Sequence, residues 1–377
     1  MKRIGILGGG QLGRMLLQQA ANYPLETWVM ESDPDCPAAG LCHHFVKGDI
    51  RDPDDVVAFG RQVDVLTIEI EHVSLEGLQA LEAEGRTVLP NSHALGIIRD
   101  KSLQKAFYAE HGIPTAPFRI IEGMAGLHRN LDFLPAVQKL ATGGYDGRGV
   151  QILRTEADLS KGFDARSVLE KLIPVHKEVA VMVAIDAAGR QTVYPAVEMV
   201  FDPLLNLLDM QVCPADLSEA EGWKAEAVAL SVARNLRSPG LFAVELLLDA
   251  AGNVYVNETA PRVHNSGHHS IEGNHCSQFD MLLRLLAGYP AGNTDAILPS
   301  VMVNLLGEDG HAGTPVYEGL PEVLAMPNTH VHVYGKGETR PGRKMGHVTL
   351  LGGDRHDLLH RAGLVKRTLR VKGTERC

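Results

Sequence analysis

Two apolar, strand-forming runs, 242–248 and 254–257, flank Asp249-Ala-Ala-Gly-Asn253; Glu245 lies in the first and Glu258 directly follows the second. Such runs around that turn chemistry predict a β-hairpin. With Asp249 opposite Val254, the ladder sets Glu245 directly across from Glu258. Like charges at facing positions are destabilising, so a cation should sit between them. Two carboxylates with the amide oxygen of Asn257 form a hard-oxygen set, which suits Mg²⁺ carried on a nucleotide phosphate better than zinc. A solvated hairpin with a slipped register is the alternative. The following stretch, 259–269, adds Arg262, His264, Asn265 and a Ser-Gly turn. A cation, an imidazole and an amide beside a metal pair point to substrate handling.

Three other clusters carry chemistry. Lys139 lies in a predicted strand, 136–140, that runs into Ala141-Thr-Gly-Gly-Tyr-Asp-Gly-Arg-Gly149 and a second strand, 150–153. Its glycines, with Arg148, predict a flap whose N–H groups fold over phosphates, although no Walker lysine follows; a mobile hairpin loop is the alternative. Lys336, Arg340, Arg343 and Lys344 crowd between predicted strands 331–334 and 347–350. Ammonium and guanidinium groups so placed match a phosphate, or else a solvated charged hairpin. Gly8, Gly10 and Gly13 satisfy GxGxxG, with Glu31 ending the next strand, which is the pattern of a dinucleotide site. Any tight strand-to-helix turn offering N–H groups to an anion can use the same glycines. His264, His268, His269, His275 and Cys276 fit no common zinc frame and read as substrate, turn and interface residues.

The elements that must position these groups alternate from the start. Strands near 3–7, 27–30, 45–46, 64–70 and 87–89 are separated by helical stretches, which makes a parallel sheet covered by helices. Glu69, Glu71 and His72 fall at the carboxyl end of its fourth strand, the edge where open α/β sheets bind ligands, or at a solvated strand end. Ser92 is a candidate cap for a helix continuing to Glu110, which Gly112-Ile-Pro-Thr-Ala-Pro117 then breaks. Strands 136–140, 150–153, 167–172 and 179–185 follow, and 282–287 reads as a core-facing helix. The 377 residues, 45% hydrophobic and 22% charged, suit two or three globular domains. A net charge of -10 argues against general nucleic-acid binding. Five cysteines with no CxxC argue against a disulfide scaffold and fit a reducing cytoplasm. No secretory h-region and no membrane-length apolar run is present.

A lysine-bearing strand, a glycine flap, a glutamate-bearing strand and a downstream carboxylate pair resemble, in that order, the ATP-grasp superfamily. The blocks GGGQLGRM, NSHALGIIRDKSLQK, GIPTAP, GGYDGRG, NETAPRVHNSGHH and YGKGETRPGRKMGHVT extend the resemblance over nearly the whole chain to its 5-(carboxyamino)imidazole ribonucleotide synthase family. The resemblance implies an α/β and α+β fold. A Rossmann-like N-terminal parallel-sheet domain (1–98) would precede two ATP-grasp lobes, 99–172 with the flap and 173–377 ending in a small β-rich segment.

It also implies roles. Arg99 and Lys139 would contact ATP phosphates, covered by Gly144, Tyr145, Asp146, Gly147, Arg148, Gly149 and Val150. Glu170, Lys171, Leu172 and Ile173 would be the hinge whose backbone reads adenine, and Glu178 would take the ribose hydroxyls. Glu245 and Glu258, with Asn257 beside them, would hold Mg²⁺. Asp146, Arg148, Arg262, His264 and Asn265 would surround bicarbonate and the imidazole amine. Lys336 and Arg343 would clamp the ribonucleotide phosphate, with Gln11 nearby. The implied reaction is ATP-dependent carboxylation of 5-aminoimidazole ribonucleotide by bicarbonate, in a cytoplasmic homodimer. A formate-dependent ribonucleotide transformylase of the same superfamily and an NAD-dependent dehydrogenase are the rival readings. One departure is Phe201-Asp-Pro-Leu-Leu-Asn-Leu-Leu208, where the family commonly has a His followed by DGIL; it puts a nucleotide contact from Phe201 in doubt.

Overall fold

A computed structural model describes residues 1–144, 149–201 and 208–376. Tyr145, Asp146, Gly147 and Arg148 of the expected flap, and the interior of the divergent 201–208 segment, lie outside the described residues.

The N-terminal sheet is parallel, in the order His44–Lys47, Leu25–Glu31, Lys2–Leu7, Val65–Ile68, Thr87–Leu89. Its strands are short apolar runs between helices whose first turns are capped by Asp52 and Ser74, so strand and helix alternate and the crossovers cover the sheet. A small antiparallel sheet follows, with Phe118–Ile121, Ser167–Lys171, Ala136–Leu140 and Val150–Leu153 side by side. The largest sheet begins with Val254–Ala260, Gly240–Asp249 and Val175–Ile185, then runs through Val197–Phe201, Leu208–Cys213 and Ser300–Leu306 to Lys344–Leu351 and Thr329–Val333. His311–Glu318 and Arg370–Arg376 make a separate β pair near the C-terminus.

Two cores hold the site in place. Ala225, Ala229 and Val232 of the helix Glu219–Asn235 pack on Val179, Val181, Phe242 and Val244, under the hairpin that carries the glutamates. Leu12 and Leu16 of the helix Gln11–Ala20 share a second core with Met281 and Leu285 of the helix Gln278–Ala287, which fixes the N-terminal sheet against the large sheet.

Two sequence expectations need correction. The stretch after residue 90 is two helices, Ser92–Ile98 and Lys101–Glu110, and its cap is Asn91, not Ser92. The Asp100 carboxylate accepts from the N–H groups of Ser102 and Leu103 and so starts a new helix. The hairpin register also differs at the turn: Val254 pairs with Leu248, not Asp249, because Asp249 closes the turn on itself by accepting from Ala251 and Asn253. A bulge at Asn257 then takes up the missing residue, and Glu245 does face Glu258. Without that bulge Glu258 would have been carried to the opposite face of the sheet.

Candidate active site

The carboxylate pair holds its own counter-ion. Lys101, placed on the first turn of its helix by the break at Asp100, forms an ion pair with Glu258. The Glu258 carboxyl is held well below its usual range, first by Lys101, whereas burial, then Glu258 and Glu178, push the Glu245 carboxyl up. Burial, Glu258 and Glu178 thus disfavour charge on Glu245, and a hard divalent cation between Glu245 and Glu258 would favour it. Among the described residues no group of three or more His, Cys, Asp or Glu converges as a metal site. Mg²⁺ held by Glu245 and Glu258 would take its remaining oxygens from phosphate or water.

The bulged Asn257 turns its amide oxygen to Lys139, 2.6 Å away. Lys139 also reaches Glu170 at 3.1 Å, and Lys105 meets the same carboxylate at 2.9 Å. Burial lowers the Lys105 pKa to about 8, against the pull of Glu170. A glutamate shared by two buried ammonium groups fixes the direction of both lysines. The Glu170 side chain thus orders the two lysines, a part that the backbone role expected of the hinge did not include. Within the expected adenine hinge the N–H groups of Lys171 and Leu172 donate to the carbonyls of Pro117 and Pro135. The Lys171 ammonium lies over the Phe133 ring at 4.7 Å. Glu178 lies on Val175–Ile185 opposite Leu247, its carboxyl raised by burial.

The glycine turn at the N-terminus carries a carboxylate of the chain's own. Glu69 accepts from the N–H groups of Leu12 at 3.0 Å and Gly13 at 3.4 Å, occupying the helix end where a dinucleotide pyrophosphate would lie. A Cβ on Gly10 would fall 2.5 Å from Glu69 Oε1, so this glycine makes room for a glutamate. Glu31 accepts from Gly9 and Ser32. Glu31, the acid of the dinucleotide pattern, and Glu69 thus both serve the loop itself.

Glu71, two positions on, grips Arg262 with both carboxylate oxygens, at 2.9 and 3.0 Å. His264 lies 3.9 Å from Glu245 and 3.0 Å from the Ser266 hydroxyl; burial, then Arg262 and Lys344, depress its pKa to about 4. Asn265 and Asn304 exchange amide hydrogen bonds at 3.0 and 3.1 Å.

These groups meet around a cavity of about 800 Å³ between the N-terminal sheet edge and the hairpin. Of the residues singled out in the sequence, Gln11, Arg99, Gly144, Glu245, Glu258, Arg262, His264 and Asn265 line it. Phe201 lines it as well. Lys139, Glu170 and Asn257 sit behind that lining, joined to one another. In the basic segment Lys344 lines the cavity, while Lys336 donates to the Lys344 carbonyl and Arg343 to that of Glu338. Lys101 and Lys105 were missed. Both lie in the IIRDKSLQK block, where only Arg99 was given a role, and the Asp100 cap was the available signal.

Models of three domains match the chain: a ribonucleotide synthetase preATP-grasp domain over residues 1–99, an ATP-grasp domain over 106–279, and a phosphoribosylaminoimidazole carboxylase C-terminal domain over 300–361. The chain is 35% identical to the N5-carboxyaminoimidazole ribonucleotide synthase of Brucella melitensis, over 92% of this chain and 95% of that protein. It belongs to the N5-carboxyaminoimidazole ribonucleotide synthase family. Relatives of this family include longer proteins: the chloroplastic phosphoribosylaminoimidazole carboxylase of Vigna aconitifolia is 36% identical over 93% of this chain, which spans 64% of that protein. The Aspergillus clavatus synthase, solved with ADP and 5-aminoimidazole ribonucleotide, superposes with a TM-score of 0.88 at 30% identity, covering 97% of this chain and 98% of that one.

Proposed function

We propose that this protein carboxylates 5-aminoimidazole ribonucleotide with bicarbonate at the expense of ATP, giving 5-(carboxyamino)imidazole ribonucleotide, ADP and phosphate by way of carboxyphosphate. The observation that carries the reading is that Glu245 and Glu258 share one cavity with Arg262, His264 and Lys344. A nucleotide site and an anionic-substrate site are thereby continuous. Bicarbonate is a poor electrophile, and phosphorylation makes its carbon open to attack by the imidazole amine. Mg²⁺, when bound, supplies charge neutralisation at the transferring phosphoryl group. Lys139, fixed by Glu170 and Asn257, would meet phosphate oxygens with a preset ammonium. Arg262, held by Glu71, would orient the bicarbonate-derived carboxylate, and neutral His264 beside it would hydrogen-bond the amine, whose proton leaves with the phosphate. Lys344 would take the ribonucleotide phosphate, in place of the Lys336 and Arg343 expected from sequence. Closure of the flap over the cavity would keep water from hydrolysing the carboxyphosphate.

Our reading of the organisation keeps 1–98, 99–172 and 173–377 as the three units, in a cytoplasmic homodimer. Among the described residues no helix is long and apolar enough to cross a membrane. Phosphate release from ATP, followed with and without the ribonucleotide and bicarbonate, tests the reaction. Release should require both. Turnover supported by formate instead would favour the transformylase, and phosphate release indifferent to either substrate would reject both.

A further inference from the structure

Gln278 is fully buried, and its amide can be oriented without ambiguity. Its Oε1 accepts from the backbone N–H of His264 at 2.8 Å, a group that can only donate. The Nε2 therefore faces the His264 carbonyl and His268 Nδ1, each at 2.9 Å. An amide N–H pointing at Nδ1 requires that nitrogen to be the acceptor, so a neutral His268 carries its proton on Nε2. The ring lines the cavity. Nε2 is the nitrogen left to meet what fills it.

The ring is also wedged and kept uncharged. His347 packs on it at 4.9 Å between centroids and stacks in turn on His332 at 4.5 Å, which bonds Glu272 at 2.7 Å. Phe279 and Tyr334 close its other sides. Burial lowers the His268 pKa, and His264, Lys344, His332 and His269 lower it further. Lys101, Arg262 and Lys344 already bring positive charge to this cavity. A neutral, fixed N–H adds a hydrogen bond to an anion without adding to that charge.

We propose that His268 is a catalytic hydrogen-bond donor to an oxyanion bound in the cavity, and that Gln278 is the positioning residue that fixes its tautomer. The oxyanion is either the bicarbonate-derived carboxyl group or the 5′-phosphate of the ribonucleotide. This rests on the carboxylation reading above. Two measurements test it. In protein labelled with ¹⁵N-histidine, with the signal assigned by its loss in His268→Gln, Nε2 should stay protonated and Nδ1 bare between about pH 6 and 8, where a free imidazole titrates. A protonated Nδ1 would overturn the proposal. In kinetics, His268→Gln keeps an acceptor for Gln278 and an N–H for the cavity, so it should lose several-fold less kcat/KM than a variant with no donor. His268→Phe keeps the ring and loses the donor, and kcat/KM should fall on the order of ten- to a hundredfold, with KM for ATP unchanged. A rise in KM for bicarbonate identifies the carboxyl group as the partner, and a rise for the ribonucleotide identifies its phosphate. Equal activity of folded Phe and wild-type proteins, or equal loss in Gln and Phe, would show that the ring only packs. Absence of bicarbonate-dependent turnover in the wild type would reject the functional reading instead, and the nitrogen shifts would still decide the tautomer.

Discussion

Glu71 and Arg262 are 191 positions apart in the chain and form a two-pronged ion pair across the cavity wall, one partner from the N-terminal sheet edge and the other just beyond the glutamate hairpin. Burial alone would raise the Glu71 carboxyl, but Arg262 outweighs it and holds the pKa below the ordinary value. The pair aims the guanidinium and ties the two parts of the molecule that enclose the site. Glu71→Gln should leave the half-buried Arg262 without its counter-charge, at a cost of about 1 to 3 kcal/mol in denaturant unfolding. The pH dependence has a definite sign. A carboxylate with a lowered folded pKa contributes stability that is present above its unfolded pKa and is lost as pH falls through the folded one. The wild type should thus lose its advantage over Glu71→Gln on acidification below the normal carboxylate range. Equal stabilities at neutral pH would refute the assignment.

Lys101 supports a second prediction, because it occupies one of the two carboxylates that Mg²⁺ would take. Lys101→Met removes the built-in cation and should lower the melting temperature of the nucleotide-free protein while enlarging the increment gained from Mg-ADP. Glu258→Gln should still fold, although Lys101 loses its partner, and should shrink that increment and lower turnover by on the order of a hundredfold or more. A folded Glu258→Gln protein with near wild-type turnover at limiting Mg²⁺ would dismiss the pair as metal ligands.

The glycine turn gives a third. With Glu69 already on the N–H groups at the start of the helix Gln11–Ala20, NADH should not raise the melting temperature, whereas Mg-ATP should. Gly10→Ala would drive a methyl group into Glu69 and should destabilise the protein by about 1 to 3 kcal/mol, leaving KM for ATP near wild type. Protection by NADH comparable to that by Mg-ATP would revive the dinucleotide reading.

These cases mark how far the sequence could be read. The alternation of strands and helices, the hairpin and the Glu245–Glu258 pairing were legible because period, turn chemistry and charge are local properties. The pairing was right through two compensating departures, a turn one residue longer than expected and a bulge at Asn257, and neither has a signal in residue types alone. GxGxxG was ambiguous for a physical reason: the same glycines accommodate a phosphate or a glutamate, and only the fold brings Glu69 to them. Lys105, Glu170 and Lys139 form one buried cluster drawn from separate elements, so their partnership required three-dimensional contact. The cation-rich segment was recognised, but alternation could not say which of its side chains faces inward.

That last point can be decided kinetically. Lys344 lies at the start of the strand Lys344–Leu351 and lines the cavity, while Arg343, one residue earlier, directs its guanidinium to the Glu338 carbonyl at 2.8 Å. Adjacent positions at a strand end point to opposite sides, so the two cations cannot serve one phosphate in the same way without rearrangement. Losing one partner of a charge-assisted contact weakens binding by about 2 to 4 kcal/mol, roughly thirty- to several-hundred-fold. Lys344→Met should show that loss in KM for the ribonucleotide and leave KM for ATP nearly unchanged, because a phosphate contact is made in ground and transition states alike. Arg343→Ala should change the same constant far less. The unphosphorylated riboside sharpens the comparison: it already lacks the group that Lys344 would bind, so wild type and Lys344→Met should use it about equally poorly. If Arg343→Ala proved the more damaging, the substrate would have to draw Arg343 inward. If Lys344→Met impaired riboside and ribonucleotide alike, its ammonium would act on the carboxyl transfer and not on the phosphate.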